Sequence, residues 1–339
     1  MKYNYIGKSG LRVSNICMGT MTFGKKCDKK TSFEILDKAY DSGVNFYDTA
    51  EIYPVPPTKE TYGITEELFG EWLATKPRDS IILATKVAGA ANGWFMPPVR
   101  HGYTAIDAFH INTAVDGSLR RLKTDYIDLY QVHWPDMVVP IDESLEALDR
   151  LVKSGKVRYI GTSNENAYGL TKALMTSQFK NYKRFESIQN NFSLLNRRFL
   201  DEIAIVCKKE QVGLLPYSPI AGGVLSGKYA KGADWTGFRY GDYLANPDQR
   251  MKAQASRYAN ERSIEAASKY TQIAKDFGIA PATMATAWTL SFDFVPSTII
   301  GATSTAQLDE TSKASEITLS KELLAACDRV HQDILYPMG

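Results

Sequence analysis

The stretch IDLYQVHWPDMVVPIDESLEALDRLVKSGKVRYIGT, residues 127–162, shows the pattern that recurs along the whole chain. Its first six residues, IDLYQV, are mostly apolar or aromatic, which is typical of a buried strand. Residues 142–154 then have the spacing of an amphipathic helix, with Asp142 placed to cap its start and a glycine placed to end it. A second strand-like run follows at residues 159–162. A strand, a helix and a strand joined this tightly indicate a βαβ unit with parallel strands.

The same alternation extends outward to both ends of the chain. The predicted strands are eight short β-branched or apolar runs at residues 14–18, 44–48, 81–86, 127–132, 159–162, 187–189, 213–216 and 297–300. We therefore expect an α/β fold in which residues 1–339 form a single (β/α)8 TIM barrel domain. A doubly wound open sheet is the alternative, but a dinucleotide-binding sheet of that type needs G-x-G-x-x-G after its first strand. This chain has GTMTFG at that position, residues 19–24.

Additional segments are predicted at both ends of the barrel. Residues 2–11 contain two short extended pieces around a Lys-Ser-Gly turn, which predicts a hairpin that plugs the bottom of the barrel. The least regular stretches, residues 54–61, 88–103 and 230–256, all follow predicted strands. In a barrel, such segments form loops and extra helices at the C-terminal face, where active sites lie.

Composition excludes several classes of protein. With 44% hydrophobic and 23% charged residues, the chain can bury a large core and is not disordered. Its 40 basic and 38 acidic residues form no basic stripe, so nucleic acid is not an expected partner. We find neither a signal sequence nor an apolar run of about 20 residues, and we expect a cytoplasmic protein without membrane insertion. The cysteines show no C-x-x-C pair, which argues against both disulfides and zinc: Cys17, Cys27, Cys207 and Cys327.

Side chains suited to acid–base chemistry follow three successive predicted strands. Asp48 ends the second strand, with Tyr53 five residues later, Lys86 ends the third, and His133 follows the fourth. The phenol of Tyr53 would have an ordinary pKa of about 10, and a neighbouring ammonium, that of Lys86, would lower this pKa. Asp48 would hold that ammonium in place, and His133 would hydrogen-bond a substrate oxygen. Each residue alone also fits a structural role, but their coincidence at strand ends favours protonation of a carbonyl oxygen.

Two later segments suit a phosphorylated cofactor. Residues 217–223, YSPIAGG, offer an aromatic plane followed by a small-residue loop, and Lys228 adds a cation. Residues 301–304, GATS, enter a helix through Gln307, so free N–H groups at its start could hold a phosphate. The loops after strands seven and eight are the usual phosphate site of this barrel, although either segment alone could be an ordinary turn or helix cap.

These segments resemble the aldo-keto reductase family along essentially the whole chain. VNFYDTAEIY at residues 44–53 is similar to the family's Asp/Tyr segment, LATK at 83–86 to its Lys segment, and DYIDLYQVHW at 125–134 to its His segment. Residues 218–229 and the chain's ending are most similar to the branch with the bacterial Tas-type reductases and the potassium-channel β subunits. The resemblance implies a (β/α)8 barrel that uses NADPH, with NADH less suited, and a catalytic tetrad of Asp48, Tyr53, Lys86 and His133.

The resemblance also implies a set of cofactor contacts. They are Gly19, Thr20, Met21, Asp48, Ser163, Asn164, Gln189, Tyr217, Ser218, Pro219, Ile220, Ala221, Gly222, Lys228, Arg239, Gly301, Thr303, Gln307 and Glu310. Tyr217 would stack on the nicotinamide. Many family members carry a Lys-Ser pair after strand eight to grip the 2′-phosphate, whereas this chain has residues 301–304, GATS. Lys228 and Arg239 would then bind that phosphate.

We therefore expect an NAD(P)H-dependent oxidoreductase acting on CH–OH donors (EC 1.1.1) that reduces aldehydes or ketones to alcohols, with Tyr53 as the general acid. A bulky apolar carbonyl substrate would lie among loop side chains that are mostly aromatic and that could equally pack within the loops: Trp94, Phe95, Met96, Trp134 and Phe192. The sequence leaves the substrate and homo-oligomerisation open.

The alternative is a cofactor-bound redox-sensing subunit resembling the potassium-channel β subunits, which an intact tetrad also permits. A metal-dependent hydrolase would need several histidine or carboxylate ligands at strand ends. Only His133 among the four histidines is so placed, and no metal is expected.

Overall fold

The computed structural model of the protein describes residues 1–89 and 105–338. Within these ranges the strands are β1 (Tyr3–Tyr5), β2 (Arg12–Ser14), β3 (Ile16–Gly19), β4 (Phe46–Asp48), β5 (Ile82–Val87), β6 (Ile127–Val132), β7 (Val157–Ser163), β8 (Phe185–Gln189), β9 (Gly213–Leu214) and β10 (Thr298–Ile300). The helices are α1 (Lys29–Asp41), α2 (Ile64–Leu73), α3 (Ala108–Leu122), α4 (Ile141–Lys153), α5 (Ala167–Lys180), α6 (Ile203–Glu210), α7 (Arg239–Ala245), α8 (Gln249–Tyr258), α9 (Glu261–Asp276), α10 (Pro281–Thr289), α11 (Thr305–Ser312) and α12 (Lys321–Asp333).

Strands β3 to β10 form one parallel eight-stranded sheet in the order β10-β3-β4-β5-β6-β7-β8-β9. The two outermost segments meet where the backbone N–H of Ile299 donates to the carbonyl of Pro216 over 2.9 Å. The (β/α)8 barrel is therefore confirmed. Strand β6 has its predicted bounds, and most of the other barrel strands begin or end within two residues of theirs.

The N-terminal hairpin pairs β1 with β2 and closes the bottom of the barrel. Ile6, Leu11 and Val13 are fully or almost fully buried, and they pack against barrel-strand residues such as Phe46 and Leu129. The predicted plug is thus confirmed, with one correction to its extent. Its second arm is Arg12–Ser14, so the predicted strand at residues 14–18 divides into the end of the hairpin and the first barrel strand.

Helix α4 buries the face that its spacing predicts, through Leu145, Leu148 and Leu151. Its predicted cap is wrong, because Pro140 occupies the N-cap position and no side chain caps the helix. Asp142 lies in the first turn, where its negative charge is favourable near the positive end of the helix dipole.

The C-terminal face carries two extra helices within the predicted irregular stretch at residues 230–256. These are α7 and α8, and Asp248 caps α8 by accepting from the N–H of Arg250. Tyr240 of α7 lies against Tyr258 of α8 at a ring separation of 5.4 Å, so aromatic packing joins the two helices. In the part of the chain that the structure describes, no helix combines the length and hydrophobicity needed to cross a membrane.

Candidate active site

A cavity of about 1160 Å³ opens at the carboxyl ends of the barrel strands. It is lined by most of the residues predicted for the site: Gly19, Thr20, Met21, Asp48, Tyr53, His133, Trp134, Ser163, Asn164, Gln189, Tyr217, Ser218, Pro219, Ile220, Gly222, Lys228, Arg239, Gly301, Thr303, Gln307 and Glu310. Lys86 lies next to the cavity wall and is fully buried. The strand ends therefore bring the four predicted catalytic side chains to one place.

Lys86 is the centre of a buried polar cluster. Its Nζ donates to Oδ1 of Asp48 over 2.5 Å and to the backbone carbonyl of Thr49 over 2.7 Å. The Oη of Tyr53 lies 3.5 Å from the same nitrogen, at the long limit of a hydrogen bond. The ammonium is thus fixed between a carboxylate and a phenol, in the arrangement expected from the sequence.

Burial and charge oppose one another at these groups. Burial raises the pKa of Tyr53, and the positive charge of Lys86 lowers that pKa without cancelling the effect of burial. The net direction differs from the prediction, because the phenol lies in a site that disfavours the charged phenolate. For Lys86, burial lowers the pKa, but Asp48 and Tyr53 together raise it above its ordinary value. Lys86 is therefore a charged ammonium at neutral pH.

Asp48 is held by two amides that meet its second oxygen. Gln189 Nε2 donates to Oδ2 of Asp48 over 2.8 Å, and Gln131 Nε2 donates to the same oxygen over 3.1 Å. Gln131 was missed by the sequence analysis. A signal was present, since residues two apart on a strand face the same side and His133 lies two residues after Gln131.

His133 is buried and faces Tyr53. The two rings are perpendicular, with centroids 5.9 Å apart, and the imidazole stacks on Trp134 at 3.9 Å. Burial and the charge of Lys86 hold the pKa of His133 well below its ordinary value, so the imidazole is neutral. Its Nδ1 has no hydrogen-bond partner among residues 1–89 and 105–338. A neutral imidazole beside a phenol can hydrogen-bond an uncharged carbonyl oxygen without repelling Lys86.

The lowered pKa of His133 predicts a loss of stability in mild acid. Below about pH 6.5 the unfolded chain protonates this histidine while the folded protein does not, so its contribution to the free energy of unfolding falls by about 1.4 kcal/mol per pH unit. The fall continues until the folded-state pKa is reached. In urea unfolding at pH 7, 6 and 5, His133→Gln should lose less stability than the wild type. Parallel losses in the two proteins would contradict the assignment.

The other side of the cavity carries the groups suited to a dinucleotide. Tyr217 Oη donates to Oδ1 of Asn164 over 2.7 Å, which fixes the phenol ring against the barrel. Burial and the neighbouring charges of Arg239 and Lys26 lower the pKa of Lys228. Clustered cations of this kind favour an anionic ligand.

The start of α11 differs from the prediction of free N–H groups. The N–H of Thr303 donates to Oε1 of Gln307 over 2.9 Å, and Ser304 caps the helix through the N–H of Gln307. Two of the amides expected to meet a phosphate are therefore already paired within the protein.

Two predicted site residues lie outside the cavity. Phe192 is fully buried and packs on Trp288 and Phe292 at ring separations of 4.9 and 5.2 Å, so it belongs to the core and not to the pocket. Ala221 is also buried in the core. Its N–H donates to the carbonyl of Ser218, which forms a tight turn that directs the Ala221 side chain away from the cavity.

Other expected and missed residues complete the site. Predicted pocket residues that fall outside the described part of the chain are Trp94, Phe95 and Met96. Lining residues that the sequence analysis missed include Lys26, Gln254, Arg257 and Tyr258. The last three lie on α8, and no local sequence signal links that helix to the strand ends.

The chain is similar to known proteins along nearly its whole length. The aldo/keto reductase family model matches residues 15–332. Protein tas of Escherichia coli (strain K12) is 38% identical over 357 residues, which cover 99% of each chain. The oxidoreductase YrpG of Bacillus subtilis is 36% identical over 96% of this chain and 94% of its own. A probable voltage-gated potassium channel subunit beta of Oryza sativa subsp. japonica is 32% identical over 94% of this chain and 92% of its own. The protein is an oxidoreductase that belongs to the aldo/keto reductase family.

Proposed function

We propose that the protein reduces aldehydes or ketones to alcohols with NADPH and that Tyr53 donates the proton to the carbonyl oxygen. The observation that carries this proposal is the buried cluster in which Lys86 Nζ lies 2.5 Å from Asp48 Oδ1 and 3.5 Å from Tyr53 Oη. His133 lies at the same cavity wall as the phenol. A proton donor and a neutral hydrogen-bonding group therefore converge where a carbonyl oxygen would sit.

The residues present fit a phosphorylated nicotinamide dinucleotide. Gly301 lies in open space: in the part of the chain that the structure describes, no other residue has an atom within 4 Å of the position of an added Cβ, apart from the chain neighbours of Gly301. It lines the same cavity as Lys228 and Arg239. Lys228 and Arg239 would hold phosphate oxygens, and Tyr217 would support the nicotinamide ring. When bound, the reduced nicotinamide supplies the hydride.

The chain's own residues would orient the substrate and move the proton. The carbonyl oxygen would accept hydrogen bonds from Tyr53 Oη and from His133, which polarises the carbonyl. As negative charge develops on that oxygen, Tyr53 transfers its proton, and Lys86 stabilises the phenolate that remains. Asp48 keeps the ammonium charged and in place. Ile52, Val55 and Trp134 supply an apolar wall that limits the access of water.

The cation cluster predicts a preference for NADPH over NADH. In fluorescence titrations we expect the wild type to bind NADPH at least about tenfold more tightly, because charge-assisted hydrogen bonds to the extra phosphate are worth roughly 1.5–3 kcal/mol. Lys228→Ala combined with Arg239→Ala should abolish most of this preference and change NADH binding little. Lys231→Ala, an exposed nearby substitution outside the cavity lining, is the matched control. An unchanged preference in the double variant would overturn this assignment.

We also infer a cytoplasmic location. The observation that supports it is that the four cysteines are buried and unpaired, as in proteins of a reducing compartment.

A second candidate function is a redox-sensing subunit. It is favoured by the 32% identity to a protein named as a potassium channel subunit beta. Such a subunit would bind NADPH but turn over carbonyl substrates very slowly, so binding and turnover measured on one preparation separate the two functions.

A further inference from the structure

We propose that Glu51 is a positioning residue that holds Tyr53 over Lys86. The inference rests on the proposed function, since it assigns a role to Tyr53 in proton transfer. Glu51 lies two residues before Tyr53, has no exposed surface and does not line the cavity. A carboxylate so deeply buried must be stabilised by hydrogen bonds, and the partners of this one belong to other segments of the chain.

The two carboxylate oxygens of Glu51 join separate parts of the fold. Oε1 accepts from the backbone N–H of Ala88 over 2.7 Å, and Oε2 accepts from Tyr62 Oη over 3.0 Å. Ala88 lies just beyond the end of β5, and Tyr62 precedes α2. The Glu51 side chain therefore ties the segment that carries Tyr53 to the neighbouring strand and to the approach to the next helix.

The hydrogen bond between Glu51 and Ala88 fixes the distance between Tyr53 Oη and Lys86 Nζ. Ala88 is two residues from Lys86, so its N–H moves with the strand that carries the ammonium. The backbone N–H of Glu51 also donates to the carbonyl of Lys86 over 3.4 Å. Tyr53 Oη and Lys86 Nζ are already 3.5 Å apart, so a shift of about 1 Å would end their hydrogen bond.

Apolar packing alone does not fix the position of Tyr53 as closely as the hydrogen bonds of Glu51 do. Its ring belongs to a small apolar cluster with Ala50, Ile52 and Ala88, and contacts of this kind are non-directional. The carboxylate of Glu51 instead makes directional hydrogen bonds with Ala88 and Tyr62. Glu51 would therefore act through the position of the Tyr53 segment.

The experiment separates the reach of the side chain from its charge. Glu51→Gln keeps the length and can still bridge Ala88 N–H and Tyr62 Oη, whereas Glu51→Asp keeps the charge but is one methylene too short. We expect Glu51→Asp to lower kcat for 4-nitrobenzaldehyde at least about tenfold, since small misplacements of reacting groups have effects of this size. KM and the Kd for NADPH should stay within twofold of the wild type, and Glu51→Gln should keep kcat within about threefold.

The matched control is a buried carboxylate that binds the opposite end of β5. Asp128 of β6 accepts from the β5 N–H of Leu83 over 3.0 Å and pairs with Arg78, but it does not line the cavity. Asp128→Asn should lower the melting temperature and leave kcat within twofold. Tyr62→Phe removes the hydroxyl that donates to Glu51 and keeps the shape of the ring, so it should lower kcat severalfold. It replaces Glu51→Asp as the test if that variant does not fold.

The outcomes distinguish the two proposals. A wild-type protein that binds NADPH without turning over the aldehyde would contradict the proposed function. A wild type with turnover, together with unchanged kcat in Glu51→Asp and Tyr62→Phe, would overturn the role of Glu51. Equal losses of kcat in Glu51→Asp and Asp128→Asn would overturn it as well, because the loss would then follow from destabilisation. A loss in Glu51→Gln as large as in Glu51→Asp would contradict the argument from reach.

Discussion

Tyr53→Phe is expected to lower kcat for carbonyl reduction by about 10²–10⁴-fold, the usual contribution of a positioned general acid. The substitution removes only the hydroxyl that lies 3.5 Å from Lys86 Nζ. The ring keeps its place in the cluster with Ala50, Ile52 and Ala88, so the fold and the cavity should be retained. The kcat is measured from the decay of NADPH absorbance with saturating 4-nitrobenzaldehyde, and NADPH binding is titrated on the same preparations.

The control for Tyr53→Phe is a tyrosine whose hydroxyl takes no part in the reaction. Tyr126 contacts Arg78 near the opposite end of the barrel, with the guanidinium 3.8 Å from the ring centroid, and does not line the cavity. Tyr126→Phe should therefore leave kcat within twofold. Retention of wild-type kcat by a folded Tyr53→Phe protein would contradict the assignment of Tyr53 as the acid.

Lys86→Met should lower both stability and activity. Asp48 is only 2% exposed, and Lys86 is its salt-bridge partner, so the substitution leaves a buried carboxylate without its counter-charge. Removal of one partner of a buried pair costs about 3–5 kcal/mol in the free energy of unfolding. The kcat should fall at least about a hundredfold, because the phenolate left by Tyr53 loses the cation that stabilises it. Urea unfolding and steady-state kinetics measure the two effects.

The double variant Lys86→Met/Asp48→Asn separates these effects. Neutralising Asp48 removes the unpaired charge, and the amides of Gln131 and Gln189 can still donate to the oxygen that remains. We expect the double variant to regain much of the lost stability but none of the activity. Recovery of activity along with stability would mean that Lys86 acts only as a structural group.

The barrel could be predicted from the sequence because local patterns determine it. The run Ile127–Val132 and the helix after it were predicted to within a residue, since most of the strand's residues are apolar or aromatic, as in a strand that is buried on both faces, and the helix has a regular apolar face. The convergence of the four predicted catalytic side chains could be predicted for a related reason. In a parallel barrel, residues at the carboxyl ends of strands converge, so Asp48, Lys86 and His133 follow from their strands alone.

The errors arose where contacts distant in sequence decide the outcome. Phe192 follows a barrel strand, β8, as the predicted site residues follow theirs. Its ring, however, packs on Trp288, which is distant in sequence and becomes a neighbour only in the folded chain. The position of Gln131, two residues before His133, indicated the face of the strand on which it lies, but no local pattern shows that its amide binds Asp48, which is 83 residues away. Extra loops and helices were predicted for residues 230–256, but the bounds of α7 and α8 were not, because the two helices depend on mutual aromatic packing.

The central claim is that this protein reduces carbonyl compounds through Tyr53. The most direct measurement follows NADPH oxidation with 4-nitrobenzaldehyde in wild type and Tyr53→Phe side by side and quantifies the alcohol formed. We expect one alcohol per NADPH in the wild type and a rate at least about a hundredfold lower in the variant, with NADPH bound equally by both. Tight NADPH binding by the wild type without formation of alcohol would contradict the claim and favour a sensor subunit.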